Sequence, residues 1–438
     1  MPETPLNERL PIPSDGVLDS TLAFLRDGYL FVSKRCDRLD SDLFSTRLML
    51  RRAVCMRGAV AAELFYGSDR FTRVGAMPVT VVRLLQDYGS VQTLDGAQHR
   101  HRKRMFMSLV KPEAVARLAE LTEAEWLRRL PDWARAPKIV LFDEVRAILA
   151  QAVCAWAGVP LEGAETARRT RELSEMIESA GSVGPRNWRA QILRARSERW
   201  ARDLVRRARA GTLPLGEDAP LRVIATHLDH DGRLLDVKVA AVELLNVLRP
   251  TVAVARFMVF AALVLHRHPD VRQRVLNEGE PYLEAFAQEV RRQAPFFPII
   301  GGRVKEPFDW RGHRFAQGDW VILDLYGTNH DPRSWRAPEA FRPERLLERR
   351  PSPFDLIPQG GGEHLQGHRC PGEGIAIELT KLATRMLTGR MRYDVPAQDL
   401  LIDLARVPAL PESGFVIKQV AATPARARAG DENKGEST

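Results

Sequence analysis

Cys370 sits in the run Gln359-Gly-Gly-Gly-Glu-His-Leu-Gln-Gly-His-Arg-Cys-Pro-Gly-Glu373. Glycines let a backbone lie against a flat cofactor where a Cβ would collide. Pro371-Gly372 and the apolar residues after it predict a helix from about Gly372, whose first N–H groups favour a negative sulfur. A thiolate held this way suits the axial position of haem iron, where it donates electron density and favours O–O cleavage. His368 and Arg369 beside it are donors matched to haem carboxylates. A structural thiol in a turn is the alternative. Three further constellations favour the haem ligand.

Glu289 and Arg292 are three residues apart on a predicted helix and share a face. Downstream, Phe341-Arg-Pro-Glu-Arg345 offers Arg345 as a third member of an ion network. Such a network fixes geometry more than it adds stability. Basic groups suited to haem carboxylates recur at Arg73, at His99 and Lys103 four residues apart, and at Arg303 after Gly301-Gly302. The third constellation is Arg249-Pro250, inside a long apolar pattern over 236–267. A mid-helix proline removes a backbone hydrogen bond and frees the carbonyl of Asn246. A guanidinium among apolar residues needs an anion, either an internal one such as Glu243 or Glu289, or a bound ligand.

The elements that must position these residues are mostly helical. Amphipathic patterns cover about 99–130, 140–157, 164–180, 187–210 and 236–267. Strand signals appear within 53–65, ahead of a helix, at 314–325 around Gly318-Asp319, and at 415–420. No βαβ alternation or phosphate-binding glycine loop argues for a dinucleotide fold. The expected fold is mainly α with a small β region, one catalytic domain over 17–421. An extended segment over 1–16 precedes it and a disordered tail over 422–438 follows it.

The 438 residues, 45% hydrophobic and 28% charged, fit a globular protein. No stretch reads as the roughly 18 apolar residues of a membrane span. The four cysteines lack disulfide or zinc spacing, and the N-terminus lacks a signal core, so a reducing cytoplasm is expected. Net charge is +9, much of it from arginines between 186 and 209. They alternate with apolar residues at helical spacing without a stacking motif, which reads as a solvated helix face and not as a nucleic-acid site.

Cys370 with its glycine loop, Glu289-x-x-Arg292 and Phe341-x-Pro-Glu-Arg345 occur in the order typical of the cytochrome P-450 superfamily, which the chain resembles over nearly its whole length. Arg249-Pro250, Pro295-Phe-Phe-Pro298 and Leu94-Asp-Gly-x-x-His99-x-x-Arg-Lys103 resemble its bacterial fatty-acid peroxygenases more closely. Ordinary members carry an acid followed by Thr where this chain has Arg249-Pro250, and Phe where it has Glu363.

The resemblance implies haem b ligated by Cys370, with hydrogen peroxide as oxidant and no obligatory redox protein. A long-chain fatty acid would be held by Arg249, and its carboxylate would act as general acid–base for the peroxide. The product would be an α- or β-hydroxy acid. Phe296, Phe297 and Pro298 would contribute to the alkyl channel. Gln92 stands where the resemblance puts His in an alkene-forming member and Gln in hydroxylating ones, so hydroxylation should dominate over decarboxylation to terminal alkenes. The competing readings are a dioxygen- and reductase-dependent monooxygenase, a lipid-hydroperoxide isomerase or dehydratase, and a haem carrier without turnover.

Overall fold

A computed structural model describes residues 10–87 and 89–423. The expected helices form, except that the pattern over 99–130 divides into Gly96–Leu109 and Pro112–Arg135, where Pro112 starts a new helix. Proline at the first turn marks the starts of Pro112–Arg135, Pro185–Arg209, Pro220–Thr226 and Pro269–Asn277, where its missing N–H costs no bond. Leu141–Ala157 ends at Gly158, whose φ of 75° is the left-handed turn glycine accepts without strain. A Cβ there would stand 2.7 Å from Leu215 Cδ2, so packing demands glycine as well.

The long pattern folds as Val237–Ala253 and Ala255–Arg267, interrupted at Val254. Asp236 caps the start by accepting the Lys238 N–H at 2.7 Å. The interruption lies four residues beyond Pro250. There the Val254 N–H turns to the Thr251 carbonyl at 3.1 Å, a tighter turn than the α-helical one. By length and composition this helix, Val237–Arg267, is apolar enough to cross a membrane, contrary to the reading of the sequence. It is instead the centre of the core: Leu244, Leu245, Leu248, Phe257 and Met258 are fully buried among the surrounding helices. Each such side chain contributes about 2 kcal/mol by leaving water.

A five-stranded sheet lies beside the helices, in the order Leu43–Leu48, Arg51–Met56, Trp320–Asp324, Ile299–Val304, Phe71–Thr72. Its one parallel pair joins Arg51–Met56 to Trp320–Asp324, and its other pairs are antiparallel. The sheet carries Ile299, Ile300 and Arg73 to one side of the helical core.

Leu10 and Ser14 make isolated bridges to His313 and Ser45, so the described part of the N-terminal segment is extended. The expected tail begins too early. Ala421 and Ala422 pair with Arg392 and Met391 in the strand Val416–Ala422, and 424–438 lie outside the described residues. The arginine-rich helix is not uniformly solvated either. Arg194 is buried, donating to the Leu84 carbonyl at 3.2 Å and to Glu198 at 3.0 Å.

Candidate active site

An apolar cavity runs from the cysteine loop to the long helix, lined by Cys370, Gln92, Asn246, Arg249 and Pro250 together with Val81, Leu85, Ile177, Phe296 and Phe297. Phe296 stacks on Phe257 with ring centroids 4.6 Å apart, which fixes the aromatic wall. Pro298 does not line the cavity. Its carbonyl accepts the N–H groups of Leu325 and Tyr326 at 2.9 and 3.2 Å, so its place is at a strand end.

The loop holds Cys370 by its backbone. The Cys370 N–H donates to the Gln359 carbonyl at 3.1 Å, and His364 Nε2 meets the Cys370 carbonyl at the same distance. Gln359 Nε2 lies 3.8 Å from the sulfur. Burial pushes the thiol up, and the Gly372 N–H and Lys103 oppose it. These are donors aimed at a sulfur that must carry charge.

Arg73, His99, Lys103 and His368 line the same cavity. His99 stacks on His368 at 3.9 Å, and His368 Nε2 lies 3.7 Å from Asp95 Oδ1. Burial holds His99 down to about 3, with the neighbouring His368 and Lys103 acting the same way, and holds His368 down to about 4. Burial also lowers Lys103, to about 8. Arg73 donates to the Gly301 carbonyl at 2.9 Å and Lys103 to the Arg369 carbonyl. Neither cation has a carboxylate within ion-pair distance among the described residues. A buried Lys103 and a half-buried Arg73, neither with a carboxylate counterion among the described residues, on the wall that also carries the cysteine, fit the carboxylates of haem.

Arg303 does not join them. It follows the tight Gly301-Gly302 strand but points outward, donating to the carbonyls of Gly75 and Gly318 at 3.2 Å and stacking over Trp320. Arg369 is spent on Glu373, which Arg291 also binds at 2.8 Å.

Behind the cavity, the expected network forms. Arg292 meets both oxygens of Glu289 at 2.8 Å, and Arg345 Nε reaches Glu289 at 3.2 Å.

Arg249 is 3% exposed. Its guanidinium donates to Asn246 Oδ1 at 2.9 Å, to the Leu84 carbonyl at 3.4 Å and to the Leu85 carbonyl. No carboxylate lies within ion-pair distance of it among the described residues. Glu243 and Glu289, the internal partners open from the sequence, are engaged elsewhere, Glu243 with Arg102 at 2.8 Å. Burial drives the guanidinium well below its usual range, with Arg194 adding to the effect. Burial pushes the Glu243 carboxyl up, against the pull of Arg102.

The sequence offered Glu243 only as a counterion for Arg249 and Asn246 only for its backbone carbonyl; the side-chain link between them escaped it. Their signal was the three-residue spacing 243, 246, 249, a polar row along an apolar helix.

The cytochrome P-450 family model matches residues 251–400. The solved structure of cytochrome P450SP alpha in complex with (R)-ibuprophen is 48% identical, covering 92% of this chain and 99% of that one with a TM-score of 0.90. The chain belongs to the cytochrome P-450 family. It is similar as well to cytochrome P450EX alpha, solved with myristic acid, at 41% identity over 94% of this chain and 99% of that one, TM-score 0.91. A variant of cytochrome P450 OleT in complex with arachidonic acid is 33% identical over 95% of this chain and 100% of that one, TM-score 0.92. The chain thus falls in the branch of the family that holds these three proteins. As a cytochrome P-450 it is a haem-thiolate oxidoreductase, with haem b ligated by Cys370.

Proposed function

We propose that this cytochrome P-450 is a peroxygenase that uses hydrogen peroxide to hydroxylate long-chain fatty acids at the α or β carbon. Arg249 carries the proposal: a guanidinium buried at the polar end of an apolar cavity, with oxygen acceptors around it and no counterion among the described residues. A fatty acid supplies what this site lacks, a carboxylate for the cation and an alkyl chain for the apolar lining. The fatty-acid complexes of two similar proteins support the same substrate class.

Bound haem b supplies the O–O cleavage and the C–H oxidation. The chain's own residues bind and orient. Arg249 anchors the carboxylate and so brings C2 and C3, the nearest carbons, to the reacting end of the cavity. The anchored carboxylate takes a proton from one peroxide oxygen and returns one to the other. The balance is R–H and hydrogen peroxide giving R–OH and water, so no reductant or redox partner is required. Thr251, the hydroxyl nearest in sequence, lines the cavity and donates to the Val247 carbonyl at 2.9 Å. Three unpaired thiols besides the haem ligand, Cys36, Cys55 and Cys154, suit the reducing cytoplasm proposed for this chemistry.

The test mixes haem-loaded protein, myristic acid and hydrogen peroxide without reductant, and identifies products by mass spectrometry. Hydroxymyristic acid is expected. No product until NADPH and a reductase are added would contradict the proposal.

A further inference from the structure

Gln92, Asn246 and Arg249 line the cavity, while Glu243 lies behind them. Every group facing the Glu243 carboxylate is a hydrogen-bond donor. Oε1 accepts the Val91 N–H and the Arg102 guanidinium, both at 2.8 Å, and Oε2 accepts Asn246 Nδ2 at 2.9 Å. Oε1 is taken by two donors, and the charge of the Arg102 guanidinium favours the ionised carboxylate, so Glu243 accepts at every contact.

That sets the direction of the next amide. The Asn246 NH2 must face Glu243, which turns its Oδ1 to Arg249 Nη2 at 2.9 Å. The same NH2 also donates to Gln92 Oε1 at 3.1 Å, while the single Ser90 hydroxyl hydrogen lies between that oxygen and the Asp87 carbonyl, each 2.8 Å from Ser90 Oγ. With its oxygen held by the Asn246 NH2, Gln92 is left with its own NH2, which no protein group among the described residues accepts.

We propose that Glu243 is a positioning residue: through Asn246 it turns the Gln92 NH2 into the cavity as a donor to the carboxylate that Arg249 binds. The inference rests on the fatty-acid reading above and deepens it. The acceptor oxygens at the polar end, the Leu84 and Leu85 carbonyls and Asn246 Oδ1, are taken up by Arg249, so what is offered to a ligand is one charged and one neutral donor, on groups joined by a single amide. This end selects an acceptor-only head group, an ionised carboxylate, over an alcohol or primary amide whose own donor hydrogens would face these donors.

The test uses the holoenzyme and calorimetric titration with myristate and with 1-tetradecanol, haem content serving as the check on integrity. In Glu243→Gln, the side-chain oxygen stays with Arg102 and Val91 and an NH2 replaces the acceptor for Asn246. Asn246 must then turn round and show its NH2 to Arg249. Myristate affinity should fall about tenfold, the loss of one hydrogen bond to a charged group. Gln92→Leu should lose a similar factor. The double variant should lose no more than the larger single, because both remove the same donor. Tetradecanol affinity should change by less than twofold.

If Glu243→Gln does not load haem, Asn246→Leu carries the test, since it breaks the link and leaves the Arg102–Glu243 pair in place. Wild-type myristate affinity in the 243 or 246 variant, or losses that multiply in the double variant, would overturn the inference. Arg249→Ala run alongside separates the two levels. Lost myristate binding there, with the other variants unaffected, ends only this inference. Retained binding there ends the fatty-acid reading itself.

Discussion

Arg292 and Arg249 are buried to nearly the same depth, 0% and 3% exposed, and differ in what surrounds them. Arg292 meets both oxygens of Glu289, donates to the carbonyls of Asn329 and Pro338, and lies over the Trp335 ring. Arg249 meets only carbonyl and amide oxygens. Both lost the hydration that stabilised their charge. For Arg292 the fold restores it internally, so the group holds structure. On the proposed function, the restoration for Arg249 is left to a carboxylate that enters the cavity. A buried charge with its counterion serves the fold, and one without serves a ligand.

Breaking the complete network should have the largest effect. Glu289→Ala strands two guanidinium groups, Arg292 and Arg345, and should cost roughly 3–5 kcal/mol, seen as a lowered thermal midpoint and poor haem loading. Stability within 1 kcal/mol of wild type would erase the distinction between the two arginines.

Asp324 is a buried acid with no cation within ion-pair distance among the described residues. It accepts the Gly327 N–H at 2.7 Å and the Ser33 hydroxyl at 2.8 Å, and burial holds it up to about 6 against an ordinary 3.8. A raised folded-state pKa means its contribution is fully present below pH 3.8 and lost as pH rises through about 6. The loss is on the order of 3 kcal/mol. Asp324→Asn should therefore remove a decline in stability between pH 4 and 6, measured by denaturant unfolding. An equal decline in both proteins would assign it to other groups.

The smallest change alters only the neutral donor beside Arg249. Gln92→His introduces a group that can carry a proton near neutral pH, and should raise the share of terminal alkene among the products of peroxide-driven turnover. An unchanged product ratio would remove Gln92 from the choice between hydroxylation and decarboxylation.

Much of this was legible in the sequence for a physical reason. The Cys370 loop is a local device, written in consecutive residues. Helices could be read from apolar period and from prolines at their starts, as at Pro112 and Pro185. Glu289 and Arg292 pair within one turn of helix, and Arg345 completes them from a short distance away. What failed depended on the direction of a side chain in three dimensions. Arg73 and Arg303 look alike in sequence, yet one side chain reaches the cavity and the other stacks on Trp320 at the surface. Pro298 follows two phenylalanines that line the cavity and does not line it itself.

The span over Val237–Arg267 was misjudged because its scattered charged residues hid a helix apolar enough for a bilayer. The role of Asn246 was not legible because its partners, Gln92 and Arg249, lie on separate elements. That Arg249 lacks a counterion could not be read at all before the carboxylates of Glu243 and Glu289 were placed against other arginines.

The central claim is that Arg249 is kept buried and unpaired for a carboxylate that arrives with the substrate. Calorimetric titration of myristate into haem-loaded Arg249→Ala, beside wild type, tests it most directly, with the thermal midpoint of each protein recorded. The account predicts an affinity at least a hundredfold lower, from the loss of a desolvated charge pair, and a midpoint no lower than wild type, because an unpaired buried charge has been removed. Wild-type affinity in the variant, or a binding loss that comes only with a collapsed midpoint, would contradict it.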